Sequence, residues 1–402
     1  MKTRYDVLIV GGGMVGSALA CALGGSGLSV GVLESSLPEA YSPEQPHDLR
    51  VSALSIASER FLQNIVAWEG ISSRRSCPYK RMKVWESSSQ QGATEFNAAD
   101  SGYSHLGHIV ENRVVQLALL ERVRQLENVD LISPARTRRI DYSPGATLVE
   151  LETGEQVVGR LVVAADGGDS MVRQAAGIGV TKWDYHQQAL VAGVTTAYGQ
   201  EDITWQQFTP TGPLAFLPLS GHNASIVWYN TPNEVKRLRA LPDDIFLEQL
   251  HARFPSELGQ ISEIQGRSSF PLRRQHAQQY ALEGLVLVGD AAHMIHPLAG
   301  QGVNIGLLDA AALAEVLLAA HAQGEAIESL ATLKRYEEQR RRHNLLMMQV
   351  MDGFYHVFSN DIAPLKLLRN LGLGLAGRVP PARKRVMEFA MGIRGSVPEL
   401  AR

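Results

Sequence analysis

Cysteine is scarce: Cys21 and Cys77 are the only two in 402 residues. That excludes a disulfide framework and a multi-cysteine zinc site, and makes a reducing cytoplasm the expected compartment. An excess of charge of either sign is also missing, with 38 Lys and Arg against 41 Asp and Glu, a formal charge of -3. No basic field points to nucleic acid, and no acidic excess points to disorder. No window of about eighteen residues is unbroken in apolar character, so no membrane span is expected and any membrane contact must be peripheral. The small, apolar N-terminus lacks a cleavage site after an uninterrupted core, and Gly11, Gly12 and Gly13 interrupt its run, so it does not read as a targeting segment. What is present is an ordinary globular composition, 45% hydrophobic and 20% charged, long enough for two domains or one large domain with an attached module.

Tyr5 to Val10 is a short apolar run rich in β-branched residues, the pattern of a buried parallel strand. Glycines end it, Met14 to Leu23 suits a tightly packed helix, and Leu28 to Leu33 reads as a second strand closed by Glu34, which completes a βαβ unit. Leu161 to Ala165 and Leu285 to Val288 are further strands, ending at Asp166 and at Gly289-Asp290, and a helix is expected from about Val303 to Ala320. Between them, Met82 to Glu86 and Leu190 to Trp228 alternate aromatic and β-branched residues with Pro and Gly turns, the pattern of antiparallel strands. The expected fold is α/β: a discontinuous Rossmann-like FAD-type domain (1–75, 100–180 and 270–340) with an inserted, mainly antiparallel β-sheet substrate domain (76–99 and 181–269) and a C-terminal helical region (341–402).

Gly11-Gly12-Gly13-Met14-Val15-Gly16 fits G-x-G-x-x-G between a strand and a helix. Gly11 allows the tight turn, Gly13 lets backbone approach a pyrophosphate, and Gly16 lets helix and strand pack closely. Glu34, at the end of the second strand, can accept from ribose hydroxyls. This motif leaves NAD and FAD open, and a glycine turn can also pack with no ligand. A second loop is more specific: Gly289-Asp290, then Pro297, then Gly300-Gln301-Gly302 opening a helix. The Asp290 carboxylate can hold a sugar-alcohol hydroxyl such as a flavin ribityl chain presents, and backbone N–H groups from Gly300 to Val303 can stabilise charge on a reduced isoalloxazine. Asp166-Gly167, with Ser170 and Arg173, supplies a third loop of the same type.

These three stretches resemble the fingerprint, Asp-Gly and Gly-Asp motifs of single-component flavoprotein aromatic hydroxylases of the p-hydroxybenzoate hydroxylase-like fold. Asp166-Gly167-Gly168-Asp169-Ser170-Met171-Val172-Arg173 departs from the family form D-G-A-N-S-x-V-R at its third and fourth positions. By the same resemblance Arg50 corresponds to an arginine near the flavin and Arg113 to one at the FAD phosphates; each also reads as a surface or capping cation. Arg50-Val51-Ser52-Ala53-Leu54, Val110-Glu111-Asn112 and His296-Pro297-Leu298-Ala299-Gly300-Gln301-Gly302-Val303-Asn304 narrow the likeness to ubiquinone-biosynthesis hydroxylases. Thr204 to Pro210 and Met351 to Tyr355 resemble members acting on a demethoxy quinol. Leu106 to Asn112 is also similar to members acting earlier, on a polyprenylphenol.

The resemblance implies an FAD-dependent monooxygenase that uses NADH or NADPH and O2, through a flavin C4a-hydroperoxide, to hydroxylate a polyprenylated phenol or quinol. Cofactor-binding residues are then Gly11, Gly13, Gly16, Glu34, Arg50, Arg113, Asp166, Gly167, Asp290, Pro297, Gly300, Gln301, Gly302, Val303 and Asn304. Such chemistry needs a dry pocket. Trp205, Phe208, Phe216, Pro218 and Trp228 are candidates for its wall, and sheet core is the alternative for each. His293 and His296 flank the flavin loop and could share a phenolic proton, or could simply hold that loop. No metal site is expected. Lys366, Arg369, Arg378, Arg383, Lys384 and Arg385 interleave with leucines and other apolar residues, which suits an anionic membrane surface, a partner protein of the pathway or a solvated helix face. Other functions on the same scaffold are a prenyl or aromatic reductase, a halogenase, whose Trp-x-Trp-x-Ile-Pro element is missing, and a non-catalytic FAD-stabilised scaffold of the biosynthetic complex.

Overall fold

The computed structural model describes residues 3–86, 89–295, 301–358, 387–388 and 391–402. Strand Arg4–Val10, with Leu8 and Ile9 fully buried, occupies the middle of a mixed sheet. It pairs in parallel with Gln156–Ala164 on one side and Val30–Leu33 on the other, and Val129–Ile132 and Leu285–Leu287 extend the two flanks. A strand buried on both faces needs helices to cover it. Helix Met14–Ala22 packs between helices Asn112–Arg124 and Gln301–Ala322, and the last of these carries helix Leu330–Phe358 on its outer side. The window Gly302–Ala322 has a mean hydropathy of 1.8, long and apolar enough to cross a membrane, yet 72% of it is buried inside the protein. The small side chains of Ala310, Ala311, Ala312 and Ala314, all fully buried, let it sit in the core.

The second sheet has eight strands in the order His293–Met294, Ile261–Ala277, Val180–Thr196, Asn223–Asn230, Gly212–Pro218, Ile203–Thr209, Arg81–Glu86 and Ser89–Asn97. All its pairings are antiparallel except Ile203–Thr209 against Arg81–Glu86. One face is covered by helices Pro232–Ala240 and Asp243–His251, where Trp228, Phe216, Leu214 and Phe246 form a separate core. A three-stranded sheet, Val51–Ser55, Gly107–Glu111 and Ser76–Tyr79, bridges the two layers.

The chain end is part of this structure. Val397 and Ala401 join the main core, Leu400 N–H donates to Glu315 Oε1 at 2.8 Å, and Met387 and Met391 are buried under the second sheet. The basic residues from Lys366 to Arg385 lie outside the described residues.

Candidate cofactor and substrate cleft

A cleft of about 650 Å³ opens where the three sheets meet, bordered at one end by Gly13, Gly167 and Asp290 and at the other by the uncovered face of the second sheet. Its glycine turn is built by contact. Gly11 has φ +108°, and a Cβ there would stand 2.3 Å from the Ala165 carbonyl oxygen; a Cβ on Gly16 would stand 2.0 Å from that of Gly11. Neither position admits a side chain. A Cβ on Gly13 would meet nothing within 4 Å, so that residue presents bare backbone to the cleft, and no side chain caps the helix it opens. The free N–H groups of the first turn suit an anion. Glu34 braces this turn, accepting from Gly12 N–H at 2.8 Å and Ser36 N–H at 3.0 Å, and it does not line the cleft.

The other two loops are tied to each other. Asp166 Oδ2 accepts from Val172 N–H at 3.2 Å and Ser170 Oγ from Arg173 N–H at 3.0 Å, so both cap the short helix Met171–Ala175. Burial raises the Asp166 pKa. Gly167, at φ +81°, then faces the cleft. Arg173, 2% exposed, donates to the Ala291 carbonyl at 2.8 Å and the Gly168 carbonyl at 2.9 Å, which fixes the Asp166 loop against the Asp290 loop. Asp290 is reached by solvent through the cleft and surrounded by protein elsewhere; desolvation raises its pKa, and its carboxyl has no hydrogen-bond partner among the described residues.

Arg50 is exposed at the cleft, with no side-chain partner among the described residues. Arg113 instead donates from Nε to Asp48 at 2.8 Å and does not reach the lining. Gly302 and Val303, at the start of the helix opened by Gln301, line the cleft. Asn304 turns inward: its Oδ1 accepts from Ser55 N–H and Ser58 Oγ, its Nδ2 donates to the Ala53 carbonyl, and it thereby anchors the strand that carries the cleft residues Val51 and Ala53. His296, Pro297 and Gly300 lie outside the described residues.

His293 stands apart from the lining. It is 1% exposed, and its Nε2 lies 2.5 Å from Asp309 Oδ2. Asp309 also receives Gly289 N–H, Arg340 Nε at 2.8 Å and Asn344 Nδ2 at 3.0 Å, a buried network that supports the Asp290 loop from behind. Among the described residues lining the cleft there is no histidine, so the position of His293 suits holding the loop and not sharing a substrate proton. Asp309 and Arg340 escaped sequence reasoning as site supports, and Arg173 was read only as part of the third loop. Asp309 carried a signal, a lone charge among the alanines of an apolar helix, whereas Arg340 is one of several charges in the run Glu337 to Arg342 and carried none.

Strand alternation rearranges the expected apolar wall. Phe216 pairs with both Trp205 and Ile226, and Leu214 with Trp228, so these side chains share the face covered by the two helices. Trp205 borders the cleft, but its ring meets Trp85 edge-on and lies beneath Lys83 Nζ, on that covered face. Pro218, at the strand end, is buried and does not line the cleft; Phe208 is on the correct face but packs farther along with Val84 and Phe96. The residues one position away, Gln206, Ala215, Leu217, Val227 and Tyr229, form the wall, joined by Met82 and Phe270. A one-residue offset exchanges the two faces of a strand.

The arrangement fits FAD. Bare glycine backbone meets a helix start at one end, the Asp290 carboxylate and the Gly302 helix start lie beyond it, and a mainly apolar wall closes the other end. A sequence model of the FAD binding domain family matches residues 4–351. The 3-demethoxyubiquinol 3-hydroxylase of Escherichia coli is 41% identical over 388 residues, 96% of this chain and 98% of that protein. This chain belongs to the FAD-dependent hydroxylases of ubiquinone biosynthesis. Other members of that hydroxylase family include the ubiquinone hydroxylase UbiL of Rhodospirillum rubrum, 40% identical over 98% of this chain and 91% of that protein. The mitochondrial ubiquinone biosynthesis monooxygenase COQ6 of Xenopus tropicalis is 34% identical over 96% and 93%. Among solved structures, p-nitrophenol 4-monooxygenase PnpA from Pseudomonas putida DLL-E4 superposes with a TM-score of 0.78 at 20% identity, covering 97% of this hydroxylase and 98% of PnpA. PqsL from Pseudomonas aeruginosa gives 0.75 at 23%, covering 92% and 99%. Both share its fold.

Proposed function

We propose that this FAD-dependent monooxygenase hydroxylates the ring of a polyprenylated demethoxy quinol, using NADH or NADPH and O2. The end-to-end 41% identity with 3-demethoxyubiquinol 3-hydroxylase carries the choice of ring. The cleft supports the reaction class, because a cofactor cradle and an apolar wall face each other across one space. FAD, when bound, accepts hydride from the nicotinamide and passes an oxygen atom from O2 to an electron-rich ring.

The protein's own share is placement and dryness. Gly11, Gly13 and Gly16 admit the dinucleotide backbone, Asp290 holds a hydroxyl of its chain, and Arg50 sets positive charge beside the site. Leu217, Val227, Met82 and Phe270 keep water from the reacting ring. Tyr79 reaches the cleft with its hydroxyl pushed up to about 12 by burial, and burial raises Tyr229 as well, so both stay protonated near neutrality and can donate, not abstract. Orientation of the ring against the cofactor therefore accounts for more of the catalysis than a protein base does.

The comparable 40% identity with UbiL, a ubiquinone hydroxylase by name, leaves room for a second reading, hydroxylation of an earlier polyprenylphenol ring. One experiment separates them: quinone profiling of lipid extracts from cells lacking this protein. Accumulation of a demethoxy quinone, reversed by the intact gene, is the expected result; accumulation of an earlier polyprenylphenol selects the second reading, and an unchanged profile sinks both. The basic segment from Lys366 to Arg385 is proposed to meet an anionic membrane or a partner of the pathway. Because the packed residues 391–402 follow it, truncation after Val379 would remove core along with charge. Reversal of Arg383, Lys384 and Arg385 to Glu is the cleaner test, with membrane cosedimentation expected to fall while bound flavin stays constant.

A further inference from the structure

Two imidazoles and one carboxylate converge on the side of the three-stranded sheet away from the cleft. His108 belongs to strand Gly107–Glu111, whose next residue, Ile109, lines the cleft; alternation turns His108 to the other face. His105 enters from the loop just before that strand. Glu59 comes from helix Ile56–Asn64, which follows the cleft-lining strand Val51–Ser55. Glu59 Oε2 lies 2.6 Å from His105 Nε2 and 3.3 Å from His108 Nδ1, and the ligand atoms of all three residues fall within 4.8 Å of one another.

His108 Nδ1 is buried, and among the described residues its one polar neighbour is Glu59 Oε2 at 3.3 Å, too long for a well-made hydrogen bond. His108 is 8% and Glu59 9% exposed, so solvent does not relieve that nitrogen. The groups around the cluster hold it in place. Gln63 Nε2 donates to the second Glu59 oxygen at 3.1 Å, Ser104 Oγ lies 2.8 Å from His105 Nδ1, and the Trp68 ring meets His108 edge-on at 4.8 Å. Outer partners of this kind orient metal-binding imidazoles and carboxylates.

We infer that Glu59, His105 and His108 form a binding site for a divalent ion of the zinc class, with water as the fourth ligand. Two neutral imidazoles and one carboxylate carry a single negative charge and match the nitrogen and oxygen preferences of zinc. Tetrahedral ligands at zinc distances stand about 3.3 Å apart. The His108–Glu59 separation already has that value. His105 Nε2, too near Glu59 at 2.6 Å and up to 4.8 Å from His108 Nδ1, must swing from the carboxylate toward His108, which its partly exposed loop position leaves room for. The ion would staple helix Ile56–Asn64 to the strand behind the cleft wall. Its role is structural, and it does not depend on which quinol the enzyme hydroxylates.

The test uses the full-length, flavin-loaded protein after chelator treatment, titrated with Zn²⁺ alone and with Co²⁺ alone. Calorimetry and elemental analysis should give one ion per chain. Co²⁺ should produce d–d bands beyond the flavin absorption, and zinc should raise Tm. His105→Ala, on a partly exposed loop, and Gln63→Ala, which only loosens Glu59, should each weaken binding by about tenfold or more while retaining flavin. Should His108→Gln fail to fold, these two variants still decide the matter. Absence of stoichiometric binding, or binding indifferent to both substitutions, would show that the cluster merely shares protons and would overturn the site.

Discussion

Asp290 is the residue proposed to hold the cofactor most directly. Its carboxyl faces the cleft with no partner among the described residues, in surroundings that raise its pKa by desolvation. Once a bound ligand displaces the solvent that reaches it through the cleft, the carboxyl needs a ligand hydroxyl to satisfy it. Asp290→Ala should weaken FAD binding by about 10- to 100-fold, the value of a hydrogen bond to a charged group, measured by dialysis of the flavin; wild-type affinity would refute its role. Two neighbouring aromatics separate wall from core. Tyr229→Ala should uncouple NAD(P)H oxidation from hydroxylation, read as peroxide formed per nicotinamide consumed, with flavin content unchanged. Trp228→Ala, removing a ring that is 1% exposed and packed under helix Asp243–His251, should cost about 3–5 kcal/mol of stability and leave the coupling ratio alone.

Helix Gln301–Ala322 and helix Leu330–Phe358 act as a unit because Asp309 of the first holds Arg340 and Asn344 of the second. Burial alone would raise the Asp309 pKa, but the His293 imidazole and the Arg340 guanidinium beside it hold the carboxyl well below the ordinary range. Arg340→Met leaves that carboxylate without its guanidinium and should destabilise the fold by about 3–5 kcal/mol, seen as a lower urea midpoint. Acid sensitivity belongs to the same pair of elements and their neighbours. Burial lowers His276 and His343 from 6.5 to about 4. The unfolded chain therefore binds more protons between those values, and stability should fall as pH drops through that window. The Asp309 contribution is lost at still lower pH, below the ordinary carboxylate range. Urea melts at about pH 7 and about pH 4.5 test the sign, and His343→Gln should flatten the difference.

At the scale of the whole molecule, the cleft is assembled from strands and loops of all three sheets, so its ligand stabilises them together. FAD at about a hundredfold excess over its Kd should add about 2.7 kcal/mol, visible as a higher Tm on reconstitution of stripped protein, and by much less in Asp290→Ala. The chain sequence alone determined the glycine turn, the acids that end the strands and the division into a parallel layer and an antiparallel sheet. Each of these is local: a φ that only glycine adopts easily, a carboxylate at a strand end, a period of two residues. What it left undecided was which face of each strand would be dry core and which would be wall, since an alternating strand reads identically in both phases until a second layer covers one side. Trp205, Phe216 and Trp228 went to the helix-covered face for that reason, and Tyr229 and Leu217 to the cleft. Partners far apart along the chain were equally hidden. His293 meets Asp309, Asn304 meets Ser55, and Arg173 meets Ala291 only because the tertiary fold brings their helices and loops within hydrogen-bond distance, and that fold alone settled which polar residues brace the site and which face it.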